Sequence, residues 1–421
     1  MNALDVFYLA VAAASSPWWA RKSRSGWSQR LARDIEPIDP PGDTPRILLH
    51  AVSVGEVNAL RQLVPILVRS ADVIVSASTD TGLARARSLY DGICHVRRYP
   101  LDSSGAVRRF LDAIRPDAVG LVELELWPNF ISACRRRGIP VCVINGRLSE
   151  RSFRGYRRFA RIVAPLFRSL ALAAVQDEVY ARRFEALGVP PDRVQITGSM
   201  KWDAARIQDE VPGASDLACR MRIDMDRPLI VAGSTGPGEE ALLHEACPRG
   251  VQLLCAPRRP ERFDQAARDL PDCIRCSAHG SSGPGGAASG RFLLDTIGDL
   301  PKAYSLATTV VVGRSFGKLY GSDPIEPIAL GGPTVIGPAV RDFQTIVSAL
   351  ESAGGLVRAD RESLAGVLDG LIRDASRRCR MVRAGRQCIR EHQGASDRHC
   401  RLLVDLARRT QRPRDSVASA R

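Results

Sequence analysis

The chain has 421 residues, 45% hydrophobic and 25% charged, with 60 Lys+Arg against 46 Asp+Glu and a formal charge of +14. These proportions exclude a largely disordered chain, and at ~100–200 residues per domain the length calls for two domains or three. The charge points to an anionic partner, whether nucleic acid, a phosphate-bearing substrate or an acidic membrane surface.

Residues 6–14 form an apolar run, followed by Trp18 and Trp19 and then by Arg21, Lys22, Arg24, Arg30 and Arg33. The run is shorter than the ~20 residues of a spanning helix. It lacks the leading basic residues of a cleaved signal peptide. Paired tryptophans beside cations are the chemistry of an interfacial anchor. The expectation is a short N-terminal membrane-anchor helix with its basic flank over 1–36, on the inner, cytoplasmic face of a membrane.

After prolines 37, 40, 41 and 45, short apolar runs at 46–52, 73–76, 118–123, 141–145 and 171–175 alternate with amphipathic stretches. Alternation over this length predicts a parallel sheet covered by helices. A second series follows at 228–232, 251–256, 305–312 and 333–336. The expected organisation is a first Rossmann-like domain over 37–203, a connection over 204–227, a second Rossmann-like domain over 228–410 and a disordered basic tail over 411–421. Two such doubly wound α/β domains place ligands beyond the carboxyl ends of their strands, so facing domains would form a cleft.

Several residues stand where chemistry is expected. Glu56 opens a helix after the strand that ends near His50, where a carboxylate either acts as a base or simply favours the first helical turn. Glu123 and Glu125 alternate at the end of an apolar run, which predicts one shared strand face and mutually raised pKa values. Salt bridging to arginine is the structural alternative. Lys201 follows a strand and Gly198. It is one of only four lysines, with Lys22, Lys302 and Lys318, so a compact ammonium there marks a specific need. In the second half, Ser234, Thr235 and Gly236 form a candidate phosphate loop. Pro257 and Arg258 follow another strand, and Glu326 lies near a helix start.

Other features read as structure. Asp224 and Asp226 make a D-x-D that precedes its strand and reads as turn chemistry. Eleven cysteines are scattered, with Cys142 and Cys255 inside apolar runs, which fits reduced thiols in a cytoplasm. Cys273, Cys276 and His279 lack a fourth zinc ligand at the usual spacing. No metal and no cofactor are expected.

Taken together and in order, these blocks resemble the 3-deoxy-D-manno-octulosonic acid (Kdo) transferases of lipopolysaccharide synthesis. The resemblance runs through 50–57, the Glu-x-Glu-Leu-Trp-Pro-Asn block at 123–129, 145–152, 197–203, 257–263, 295–300 and 324–327. It implies a GT-B fold, two Rossmann-like domains facing a central cleft. It implies inverting transfer of Kdo from CMP-Kdo to a hydroxyl of a lipid A precursor (lipid IVA) at the inner membrane. The family's base falls on Glu56, and its transition-state stabilisers fall on Glu123 and Lys201. Glu125 becomes an acceptor-binding or structural acid. CMP contacts fall on Pro257, Arg258, Ile297, Gly298, Asp299, Asp323, Pro324, Ile325 and Glu326. The sequence departs from the family at Gly236, Arg259 and Ser322, where His is usual, and at Asp323, where Asn is usual. Rival readings are a GT-B transferase using a UDP-sugar or a different acceptor, and a non-catalytic basic membrane-binding protein. Nucleic acid is not expected as a partner, because aromatic–basic interleaving on strands is missing.

Overall fold

The computed structural model describes residues 26–40, 42–278 and 289–418. The expected anchor over 6–19 therefore lies outside the described residues, as does His279. Among those described, no helix is long and apolar enough to cross a membrane.

The chain divides into two units, residues 1–204 with 393–421, and residues 205–392. The first holds a seven-stranded sheet in the order β3-β2-β1-β4-β5-β6-β7. Its strands are β1 (Arg46–Ala51), β2 (Asp72–Ala77), β3 (His95–Arg98), β4 (Ala118–Val122), β5 (Val141–Gly146), β6 (Leu172–Val175) and β7 (Val194–Ile196). All its pairings are parallel. A parallel sheet is covered on both faces, so its central strands are buried throughout and read as near-continuous apolar runs. Period-two alternation splits β1 between two cores: Ile47 and Leu49 enter one, Leu48 the other.

The second unit repeats the plan in the order β10-β11-β9-β8-β12-β13-β14. Its strands are β8 (Leu229–Thr235), β9 (Gln252–Pro257), β10 (Ile274–Arg275), β11 (Arg291–Leu293), β12 (Thr309–Val312), β13 (Thr334–Ile336) and β14 (Leu356–Arg358). Close backbone approach at its centre requires glycine. A Cβ on Gly313, just after β12, would sit 2.6 Å from the Thr235 Cα.

Two expected boundaries are corrected. Residues 205–227 are not a free connection but part of the second unit. Gln208 N–H donates to Ala329 O at 3.3 Å, and the helix Ala214–Met221 buries Leu217, Ala218 and Met221. The final helix, Ala395–Ala418, belongs to the first unit rather than the second. Ala395, Cys400, Leu403, Val404 and Ala407 form its apolar stripe and enter the core that holds Ile47 and Leu49. Its helical backbone also runs through the segment expected as a disordered tail, as far as Ala418.

Candidate active site

In an open α/β sheet, ligands gather where the strand order reverses. In the first unit that point lies between β1 and β4. The loops leaving these two strands carry Glu56 and Glu123.

After β1, Ser53 caps the helix Val54–Ala59. Its Oγ accepts the Glu56 N–H at 3.4 Å and donates to Glu56 Oε1 at 2.8 Å. The Val52 N–H donates to Oε2 at 2.8 Å. This is capping-box logic, in which an acid in the first turn folds back on the cap. The geometry shows Glu56 stabilising the helix start and also places it on the wall of a pocket. Burial raises its pKa; the Val52 and Ser53 hydrogen bonds oppose that rise, and the Glu123 charge adds to it.

β4 ends at Val122, so Glu123 and Glu125 do not share a strand face. They lie in a loop. Glu123 takes φ +60°, a left-handed conformation that costs about 1–2 kcal/mol for a residue with a Cβ. Two backbone bonds to the end of β5 hold it: Glu123 N–H to Ile144 O at 3.0 Å, and Arg147 N–H to Glu123 O at 3.4 Å. Strain that neighbours over-determine is typical of functional sites. Pro128 begins the helix Pro128–Arg136. Asp102 accepts that helix's Asn129 and Phe130 N–H groups at 3.0 and 2.8 Å.

A cavity of about 280 Å³ collects Glu56, Glu123, Glu125, Arg147, Ser152 and Tyr156 on its wall. Glu125 is half-buried, and among the described residues no hydrogen bond or ion pair reaches its carboxylate. Burial, then the charges of Glu56 and Glu123, push its pKa up to about 7. Salt bridging, the structural alternative for this pair, is not what the Glu125 environment shows. Three carboxylates around one arginine form a site able to exchange protons with a hydroxyl near neutral pH.

Lys201 does not line this cavity. It lies in the loop after β7, one residue beyond Met200, whose N–H donates to Asn145 Oδ1 at 3.1 Å. Asn145 is fully buried, with φ +51°. Its N–H donates to His399 Nε2 at 2.8 Å, and Thr197 Oγ1 lies 3.2 Å from the same nitrogen. His399 Nδ1 lies 2.7 Å from Ala395 O, so Nδ1 carries the proton and Nε2 accepts. Burial keeps this ring's pKa below the ordinary histidine value. Asp203 closes the arrangement by accepting the Gly394 and Ser396 N–H groups at 2.7 and 2.6 Å. The last helix thus clamps the two loops that carry Arg147 and Lys201. Sequence reasoning missed His399 altogether, since 254 residues separate it from Asn145. His50, beside the Glu56 turn, is also buried. It stacks on Tyr99 at 3.6 Å between ring centroids and sits 3.1 Å from Ser76 Oγ.

In the second unit the strand order reverses between β8 and β12. The candidate phosphate loop lies there, but the Thr235 hydroxyl and the Gly236 N–H are already used. Gly236 N–H donates to Glu239 Oε2 at 2.7 Å, and so does Arg314 N–H at 2.6 Å. Phe316 N–H reaches Oε1 at 3.0 Å. Thr235 Oγ1 donates to Glu240 Oε1 at 2.6 Å, and Arg262 forks onto the same carboxylate at 3.1 and 2.9 Å. Ser234, at φ +58°, turns the chain so that these groups converge. The anion they hold is the protein's own. The acids that open the helix Glu239–Ala246 supply it, and their first-turn position was the signal to read.

The remaining donor candidates follow other strand ends. Pro257 closes β9, and Arg258 N–H donates to Thr235 O at 3.1 Å. Asp323 Oδ1 accepts the Ile325 N–H at 2.9 Å, and Pro324 precedes the helix Ile325–Ala329, with Glu326 exposed in its first turn. Burial raises the pKa of Tyr304; the charges of Glu326 and Asp323 add to the rise and that of Arg258 opposes it. Ile297 is exposed and Gly298 takes φ +97°. Asp299 is held by Lys302 at 2.8 Å and Thr296 at 2.8 Å, which lowers its pKa. Ser322, at one of the departures from the family, is buried with no partner for its Oγ among the described residues. Asp224 accepts the Asp226 N–H at 3.0 Å in the expected turn. Cys276 Sγ accepts from Arg220 at 3.1 Å, whereas Cys273 Sγ lies against Ala267 O, so the C-x-x-C pair faces two ways.

A family model described as 3-deoxy-D-manno-octulosonic-acid transferase matches residues 25–204. The 3-deoxy-D-manno-octulosonic acid transferase of Bordetella pertussis is 31% identical over 423 residues, covering 92% of this chain and 94% of that protein. The Haemophilus influenzae protein of the same name is 30% identical, covering 86% of each. A glycosyltransferase from Rickettsia africae matches with a TM-score of 0.61 at 10% identity, over 87% of this chain and 99% of that one. This last likeness is one of fold.

Proposed function

This chain belongs to the 3-deoxy-D-manno-octulosonic acid transferase family and is a glycosyltransferase, and we propose that it moves Kdo from CMP-Kdo to a hydroxyl of a lipid A precursor, lipid IVA. The observation that carries the reading is the three-carboxylate pocket at the reversal point of the first sheet. Glu56 is the general base. The acceptor oxygen attacks the anomeric carbon of Kdo, its proton passes to Glu56, and the bond to CMP breaks with inversion. One base and a single displacement suffice, with no covalent intermediate.

Glu123 and Lys201 stabilise the transition state, and Glu125 binds an acceptor hydroxyl. CMP leaves as an anion, assigned to Pro257 and Arg258, to Ile297, Gly298 and Asp299, and to Asp323, Pro324, Ile325 and Glu326. Backbone N–H groups and Arg258 supply its positive environment. In the 234–236 loop, Thr235 and Gly236 shape this region rather than hold phosphate, because Glu240 takes the Thr235 hydroxyl and Glu239 the Gly236 N–H. The protein works at the cytoplasmic side of the inner membrane, a placement supported by the basic flank of the N-terminal apolar run.

Purified protein given CMP-Kdo and lipid IVA tests the proposal by mass spectrometry. Wild type is expected to add the mass of Kdo. Glu56→Gln is expected to lose transfer while keeping CMP affinity. A variant that keeps most of its turnover would remove Glu56 from the role of base.

A further inference from the structure

Arg314 stands at the reversal point of the second sheet, just after β12 and Gly313. Its backbone takes φ +59°, a left-handed turn that glycine adopts freely and a residue with a Cβ adopts only under strain. The buried Glu239 holds that turn. Its carboxylate accepts the Arg314 and Phe316 N–H groups from this loop, and the Gly236 N–H from the loop after β8. Gly321 N–H donates to Arg314 O at 3.0 Å and closes residues 314–321 into a loop with Arg314 at its neck. Main-chain donors thus satisfy Glu239. Among the described residues, no hydrogen bond or ion pair reaches the Arg314 guanidinium. The side chain is half-buried, and its stem runs beside Gly236. A Cβ at 236 would stand 3.5 Å from Arg314 Cγ and 3.0 Å from Leu319 Cδ1, so glycine there leaves the stem its space.

An anchored, strained backbone therefore carries a guanidinium with no partner of its own. It does so where an α/β sheet gathers its ligand, and a guanidinium matches the paired oxygens of a phosphate. We propose that Arg314 binds the phosphate of the nucleotide-sugar donor. This rests on the donor reading above and adds to it a cation that sequence reasoning did not single out. As the acceptor oxygen bonds to the anomeric carbon, the bond from that carbon to the phosphate oxygen breaks. Its electron pair stays on the phosphate, and the acceptor proton passes to Glu56. The phosphate gains negative charge as it leaves, and a fixed guanidinium stabilises that gain.

Titration calorimetry on the full chain tests the assignment. CMP carries the phosphate but not the sugar carboxylate. It is expected to bind Arg314→Gln about 10- to 100-fold more weakly than wild type, the range for a hydrogen bond to a charged group. Arg314→Lys keeps the charge without the fork and should recover part of the affinity. Arg314→Gly suits the left-handed turn, so it should keep the fold, read by its melting temperature, and still lose CMP affinity as the Gln variant does. Cytidine, which lacks the phosphate, should not distinguish the four proteins.

CMP affinity equal to wild type in both the Gln and the Gly variants overturns the proposal and leaves the Kdo-transfer reading standing. A loss confined to CMP-Kdo, with CMP unchanged, also overturns it, since that would put the arginine on the sugar carboxylate. So does a cytidine loss as large as the CMP loss, which would mean that Arg314 only shapes the loop. Wild type that binds no CMP refutes the donor itself, and this inference with it.

Discussion

Replacing His399 with leucine isolates the clamp formed by the last helix. Leucine fills a similar volume in a site that is 0% exposed, so no large cavity opens. What disappears is the acceptor for the Asn145 N–H, which His399 meets at 2.8 Å. Thr197 is less affected, because its hydroxyl also donates to Val175 O at 3.1 Å. The dominant cost is therefore one orphaned buried N–H, about 1–3 kcal/mol. For a unit of this size that lowers the melting temperature by roughly 2–4 °C per kcal/mol. The kinetic effect should exceed a bland loss of stability. Asn145 Oδ1 positions Met200 N–H, and the next residue is Lys201. A looser Asn145 should lower kcat by at least about tenfold, equivalent to ~1.4 kcal/mol of transition-state stabilisation, with KM for the donor unchanged. His399→Gln retains an acceptor and should recover part of the rate. Calorimetry and steady-state kinetics on the three proteins decide the matter. A His399→Leu variant with wild-type melting and wild-type kcat would refute the positioning argument.

Glu125→Gln should stabilise the fold. A folded pKa of about 7 against an ordinary 4.5 means that the folded state holds its proton more tightly, so wild-type stability falls as pH rises from 4.5 to 7. The variant should lose that slope and gain up to roughly 3 kcal/mol at neutral pH, less whatever solvent screens, as read by denaturant titration across pH. Glu240→Ala leaves Arg262 unpaired beside a buried site and should cost the second unit about 3–5 kcal/mol, visible as a separate loss in calorimetry. His50 is buried and neutral, with its pKa pushed down to about 3. The unfolded chain therefore takes the proton first. Its contribution is full above pH 6.5 and falls by roughly 1.4 kcal/mol per unit toward pH 3. His50→Gln should flatten that part of the acid-unfolding curve; an unchanged slope would assign it to other groups.

Local physics made much of the architecture readable in advance. The apolar runs at 46–52, 118–123 and 141–145 became β1, β4 and β5, because a strand buried on both faces must be apolar throughout. A helix following β1 was visible in the sequence, although it starts at Val54, two residues before the expected Glu56. The turn at Asp224 and Asp226 was equally local. The short edge strands β3, β10 and β14 were not, since two to four residues carry too little pattern to separate strand from loop. Only the tertiary structure decided the rest. That β1 lies beside β4, so that Glu56 and Glu123 share a pocket, depends on hydrogen bonds between segments some seventy residues apart. The left-handed turn at Glu123 exists because β5 holds it. The loop at 234–236 looked ready for a phosphate until folding brought Glu239 and Glu240 onto the Gly236 N–H and the Thr235 hydroxyl. The last helix joined the first unit because Asp203, Asn145 and Thr197 offer partners that no neighbour in sequence could reveal. Periodicity and caps act over a few residues and are written in order along the chain. Pockets and clamps are closures between distant segments, set by which surfaces pack together once the sheets have formed.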